Sequence, residues 1–188
     1  MADDTFTRDD EKPRDDAPPA THKDINGARE LTACAVTINR PSAELYAYFR
    51  DFANLATFMK NVERVDVIDN KHSHWVVRAP GGRTAVWDAT VTAEVENEFI
   101  TWQSDEGANV ANSGRITFRD AGARGTVMTA TIDYDPLGGT IGKIIAKMFQ
   151  HEPAVQTRRD LRRFKQIMET GEVVTAAWTR KQHEAEMA

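Results

Sequence analysis

Cysteine is nearly absent. Cys34 is the only one in 188 residues, which excludes an internal disulfide framework and fits a reducing compartment. No apolar run approaches the roughly 20 residues that cross a bilayer, and the first residues are acidic and polar rather than apolar, unlike a signal region. A cytoplasmic location is expected. Positive charge is also scarce, with 24 Lys and Arg against 29 Asp and Glu and a formal net charge of -5. Between Met1 and Gly27, eight acidic residues stand against four basic ones. Nearly all of the net charge therefore sits in that arm, and the rest of the chain lacks the basic footprint that nucleic acid requires. Ligand sets for metals are missing too. His72 and His74 share one face of a strand, but two ligands are too few and no third His or Cys is placed to join them. No metal and no cofactor is expected. No Ser-His-Asp or Cys-His order is present, and Gly138-Gly139 lacks a phosphate-binding fingerprint, so it reads as a turn or hinge. His151 beside Glu152 reads as a local hydrogen-bonding group at a helix junction.

What is present begins after the arm. Residues 1–28 are rich in Asp, Lys, Pro and Thr and have almost no large apolar side chains. Such a segment cannot bury enough surface to offset its ordering entropy, and it is expected to be disordered. Residues 29–171 read as one folded domain and 172–188 as a tail of weak periodicity. Leu31 to Asn39 alternates as a strand. Pro41 presets a helix start, Ser42 can serve a first-turn amide, and Leu45, Tyr46 and Phe49 carry helical spacing to Arg50. A second short helix is expected over 51–59. Arg50 and Asp51 are expected to pair locally or to anchor that helix.

Six further strands follow: Val62–Asp69, His72–Arg78, Thr84–Val95, Phe99–Ser104, Val110–Arg119 and Thr126–Tyr134. The gaps between them carry turn residues such as Pro80-Gly81-Gly82 and Asp105-Glu106-Gly107, and short gaps imply an antiparallel meander. The stretch from Leu137 to Thr170 would be about 50 Å long as a single helix, too long for such a sheet. Pro153 breaks it, leaving an amphipathic segment over 140–149 and a main helix from about Glu152 to Thr170, stopped by Gly171. A late helix after consecutive strands must bury its apolar stripe on their sheet, so the fold class is α+β.

Period-two alternation assigns the faces of each strand. Trp87, Ala89, Val91 and Ala93 fall on the inner side and Val86, Asp88, Thr90 and Thr92 on the outer. The same rule turns Trp75, Trp102, Phe118, Met128 and Tyr134 inward, with Asn112 near a strand end. Leu161, Phe164 and Met168 form the facing stripe of the helix. These ten residues, Trp75, Trp87, Trp102, Asn112, Phe118, Met128, Tyr134, Leu161, Phe164 and Met168, are the candidate ligand-binding set. Asn112 and Tyr134 are its polar members. Few polar groups in an apolar cleft is the usual composition of a small-molecule site. A dry hollow of ~300 Å³ would cost roughly 7 kcal/mol, against a total stability of about 5–15 kcal/mol. A void of that size is expected to hold ligand, water or a folded-in side chain. The competing reading is that the three inner tryptophans fill the space themselves.

Ile141, Ile144, Ile145, Met148 and Phe149 make one apolar face flanked by Lys143 and Lys147. That face reads first as packing over the mouth of the sheet. Its alternative is a lid with peripheral membrane contact. No catalytic residue is assigned.

Several stretches carry a family resemblance: Ile38-Asn39-Arg40-Pro41, Tyr46 to Leu55, Ser73-His74-Trp75, Val86-Trp87-Asp88-Ala89, Ile100-Thr101-Trp102, Ser113 to Phe118, Tyr134 to Gly139, and Asp160 to Glu169. Taken in order they resemble the START-like, Bet v 1-like (SRPBCC) superfamily, in the polyketide cyclase/dehydrase-type branch that includes coenzyme-Q-binding proteins. The resemblance covers about Leu31 to Thr170. It implies a helix-grip fold: a curved antiparallel sheet of about seven strands wrapped around a long C-terminal helix, with two short helices between strands one and two. It also implies a hydrophobic ligand (lipid, isoprenoid or quinone, or aromatic polyketide-like) held between sheet and helix by a carrier or sequestering protein. The alternatives are a cyclase/dehydrase-type enzyme and an adaptor that uses the 140–149 segment.

Overall fold

The computed structural model describes residues 21–25, 29–79, 82–108, 111–134 and 153–173. Eight antiparallel strands form one sheet: β1 (Thr21–Ile25), β2 (Arg29–Ile38), β3 (Val62–Val67), β4 (His72–Ala79), β5 (Arg83–Val95), β6 (Phe99–Ser104), β7 (Asn112–Asp120) and β8 (Thr126–Tyr134). Their spatial order is β1-β2-β8-β7-β6-β5-β4-β3. The meander from β3 to β8 therefore closes on β2, which lies between β8 and β1. Between β2 and β3 come α1 (Ser42–Arg50), a 3-10 turn (Phe52–Asn54) and α2 (Leu55–Phe58). The chain ends its described part in α3 (Pro153–Thr170). This is the curled sheet and terminal helix of an α+β helix-grip fold.

β1 lies inside the segment expected to be disordered. It pairs with β2 from Thr21↔Ala33 to Ile25↔Arg29. The pairing supplies main-chain partners that a composition rule cannot foresee, and it adds an eighth strand at the sheet edge. A second departure comes from a β-bulge in β5. The register with β6 runs Val91↔Trp102 and then Ala93↔Thr101, skipping Thr92. One extra residue reverses every later face. Ala93, expected inward, is exposed, and Glu94 instead reaches α1.

Glu94 accepts from Arg50 Nε (2.6 Å) and from the Tyr46 hydroxyl (3.1 Å). Arg50 also donates to the Asn70 carbonyl. Its partners are thus on β5 and the β3-β4 turn and not Asp51, whose carboxylate instead accepts from the Ala53 amide and anchors the turn that follows, the other arrangement expected of this pair. This network ties α1 across the sheet. α1 itself starts at Pro41 with no side-chain cap bond, so Ser42 does not serve an amide there.

α3 is held most firmly at its C-terminal end. Arg40 donates from Nε to the Met168 carbonyl (2.8 Å) and from Nη2 to the Glu169 carbonyl (3.2 Å). The Asn39 amide donates to Glu169 Oε1 (2.7 Å), and Lys165 Nζ donates to the Thr37 carbonyl (2.7 Å). A cation on the orphan carbonyls of a helix end satisfies both their hydrogen bonding and the helix dipole. Gly171 then takes φ +78°, which terminates the helix, and its amide donates to Ile167 O (2.8 Å).

Candidate functional site

Under α3 the concave face divides into a packed end and a hollow end. At the packed end Phe164 is fully buried. Its ring meets Phe58 at 4.8 Å, Tyr48 at 5.8 Å and Phe49 at 6.2 Å. Phe118 meets Tyr46 at 5.9 Å and Phe49 at 6.4 Å. Met128, opposite Val36 and Phe118 in the ladder, is also fully buried. Rings from α1 have moved into the space that alternation alone would leave for a ligand.

At the hollow end lies a cavity of about 120 Å³. Trp75, Trp87 and Trp102 line its sheet wall, and Gln156, Thr157, Asp160 and Leu161 line its helix wall. Phe49 and Phe58 separate it from the packed end. Trp75 and Trp87 are direct cross-strand partners. Their rings are stacked at 5.9 Å with an interplanar angle of 10°, a favourable offset arrangement for aromatic pairs. Trp75 donates from Nε1 to Ser73 Oγ (3.0 Å), and Ser73 donates to the Ala89 carbonyl (3.4 Å). That chain fixes the indole and satisfies two buried polar groups.

Trp102 faces Gly114 across β6 and β7. A Cβ at Gly114 would come 2.6 Å from Cη2 and 2.8 Å from Cε2 of the indole. Only glycine lets the ring lie flat on the neighbouring strand at this point.

Asp160 is the polar feature that strand alternation and helix spacing missed. It is 8% exposed and lines the cavity from the first half of α3. Gln156 Nε2 donates to both of its carboxylate oxygens, at 2.9 and 3.0 Å. Arg163 Nη1 donates to Oδ1 (2.9 Å), and so does the Lys60 amide (3.4 Å). Burial pushes the carboxyl above its ordinary value, and the bonds from Gln156, Lys60 and Arg163 pull the other way. Its helical neighbours include four arginines, so the sequence reads as a solvated face. The signal that could have found it is its i,i+4 spacing from Gln156 beside the inward Thr157 and Leu161.

Of the ten expected ligand-binding residues, Trp75, Trp87, Trp102, Asn112 and Leu161 line the cavity. Phe118, Met128 and Phe164 do not; they build the packed end. Met168 packs against that same core, beside the carbonyls that Arg40 holds. Tyr134 stands in β8 opposite Glu30 and Asn112, and its side chain lies outside the described residues. The segment carrying Ile141, Ile144, Ile145, Met148 and Phe149, and also His151, lies outside them too. His72 and His74 point away from the cavity on the outer face, each bonded to a carboxylate: Asp69 at 2.8 Å and Asp88 at 2.6 Å. Among the described residues no three His, Cys, Asp or Glu side chains cluster in a way that could hold a metal ion. No helix among them is long and apolar enough to cross a membrane. Cys34 is buried, and desolvation raises its thiol pKa, with Arg158 opposing.

Comparison with known proteins places this architecture. The family described as polyketide cyclase/dehydrase and lipid transport matches residues 38–162. An uncharacterised 17.2 kDa protein from the melC2-rnhH intergenic region of Streptomyces lincolnensis is 25% identical over 146 residues, covering 77% of this chain and 93% of that one. The crystal structure of DR_A0006 from Deinococcus radiodurans is 38% identical, with a TM-score of 0.61, and covers 76% of this chain and 99% of that chain. The aromatase/cyclase ZhuI of Streptomyces sp. R1128 superposes with a TM-score of 0.59 at 14% identity, over 78% of this chain and 99% of that one. At that identity the likeness is one of fold.

Proposed function

The chain belongs to the polyketide cyclase/dehydrase and lipid transport family, and we propose that it binds a hydrophobic small molecule in the cavity under α3, as a carrier or sequestering protein. The observation that carries this reading is the wall of three tryptophans, Trp75, Trp87 and Trp102, standing around a space they do not fill. Left dry, a void of about 120 Å³ costs roughly 3 kcal/mol at about 24 cal/mol per Å³. That is a large part of a stability of about 5–15 kcal/mol, and an apolar ligand that occupies the space offsets it. The volume is below the ~300 Å³ at which small-molecule pockets commonly begin. It therefore suits a flat ring system or one stretch of an isoprenoid or acyl chain. Native mass spectrometry of the purified protein, followed by solvent extraction, tests the reading: a co-purified lipid, quinone or aromatic compound is expected. Failure of such compounds both to co-purify and to quench tryptophan emission on titration sinks it.

Asp160 favours a second reading, an enzyme of the cyclase/dehydrase type. Such chemistry needs a titratable group facing the ligand, and a buried carboxylate in an apolar cavity is suited to accept a proton. Turnover of a poly-β-keto substrate that is lost in Asp160→Asn supports it. Absence of turnover by the parent protein removes it.

A further inference from the structure

We infer that Asp160 makes the cavity selective for apolar molecules that carry a hydroxyl donor, a phenol or an alcohol, and that it excludes carboxylates. The inference rests on the binding reading and names the ligand class of the same site.

Selectivity turns on what Asp160, the one charged side chain among the described lining residues, has left to offer beside Asn61, Ser73, Thr90, Asn112, Gln156 and Thr157. The Ser73 hydroxyl is occupied, accepting from Trp75 and donating to Ala89 O. The Gln156 amide nitrogen is occupied by Asp160. An ionised carboxylate has about four acceptor positions over its two oxygens and no donor. Oδ1 accepts from Gln156, Arg163 and the Lys60 amide. Oδ2 accepts, among the described residues, from Gln156 alone. Capacity remains at Oδ2, and it is acceptor capacity only. Arg163, bonded on the Oδ1 side, stabilises the charge without using Oδ2.

A ligand end that donates completes the shell of Asp160. A bare hydrocarbon leaves Oδ2 with the Gln156 bond alone and its second acceptor position unused. A carboxylate ligand brings a second negative charge into an apolar cleft beside the buried Asp160, where like charges are less screened than in bulk water.

The test uses three naphthalenes of nearly equal apolar area, titrated into the full chain at neutral pH by calorimetry: naphthalene, β-naphthol and β-naphthoate. β-Naphthol is expected to bind at least about tenfold more tightly than naphthalene, the scale of a hydrogen bond to a charged acceptor. β-Naphthoate is expected to bind most weakly. In Asp160→Asn one acceptor oxygen becomes an NH2 donor, so the naphthol advantage should shrink to about threefold or less and β-naphthoate should gain. Circular dichroism reports whether that variant is folded. If it is not, the wild-type ranking decides alone. Equal binding of β-naphthol and naphthalene, or a preference for β-naphthoate, overturns the inference and leaves hydrophobic binding standing. Binding of none of the three removes both.

Discussion

The two halves of α3 meet opposite surroundings. Its second half presses Phe164 into a cluster of rings from α1 and α2 and is fastened by Arg40 and Lys165 to β2 and the loop that follows it. Its first half faces a hollow and makes its polar contacts through Asp160, to the start of the loop after α2. Both halves face the same sheet, and both sheet surfaces are apolar. The difference lies in what crosses over. Tyr46 and Phe49 of α1 reach Phe118 and fill one end, whereas among the described residues no ring from α1 or α2 packs on Trp87 or Trp102. One end is built for stability and the other is left open at a cost.

Substitutions at the two ends should separate these roles. Phe164→Ala should have the largest effect on folding, about 3–5 kcal/mol, because a fully buried ring leaves a cavity that the surrounding rings cannot close. Urea denaturation monitored by circular dichroism measures it. If Phe164→Ala cost no more than a truncation at the hollow end, the division into a packed and an open half would be wrong.

Gly114→Ala acts on the hollow end by crowding. The added methyl falls within the Trp102 indole, so the ring must leave the surface of β7, at about 1–3 kcal/mol for overpacking. Ligand affinity should change more than stability does, because the displaced indole is part of the cavity wall. The same denaturation curve and a ligand titration, run side by side, check the ratio. Trp87→Ala should cost less, about 1–2 kcal/mol, since this ring is only half-buried and one of its faces already borders empty space. Binding of an aromatic probe should weaken at least tenfold, on the order of the energy of one lost aromatic contact and its buried area. Unchanged affinity in Trp87→Ala would detach the tryptophan wall from ligand binding.

How much of this contrast was legible in the sequence follows from the physics of each signal. Strand alternation placed Trp75, Trp87 and Trp102 on one concave surface, because side chains on one strand must alternate between two faces. Pro153 and Gly171 bracketed α3 closely for equally local reasons. Alternation states which way a side chain points and not what it meets. That is why Phe118, Met128 and Phe164 were grouped with the tryptophans although α1 occupies the space in front of them. The bulge at Thr92 was invisible because it depends on the register with β6 and not on β5 alone. β1 was missed because its partner strand, not its composition, orders it. Asp160 was hidden by its company: among arginines, an aspartate reads as solvent-facing until the Lys60 amide and Gln156 are seen to enclose it.

The smallest expected effect is also the one that most directly probes the open end. Burial raises the Asp160 carboxyl above its unfolded value, which is near 3.9 for aspartate. Between those two values the folded protein holds more protons than the unfolded chain. Stability contributed by this group is therefore fully present below the unfolded value and is lost as pH rises through the folded one. Asp69 provides the opposite case. Bonds from the Lys71 amide and from His72 lower its pKa to about 2, so its contribution is present above the unfolded value and lost as pH falls through the folded one. Melting temperatures of the parent and of Asp160→Asn, followed from pH 4 to pH 7, should diverge in the mutant's favour as pH rises. A constant offset across that range would mean that Asp160 ionises as freely in the folded chain as in the unfolded one. The first half of α3 would then border solvent rather than an apolar cavity, and the contrast between its two ends would collapse.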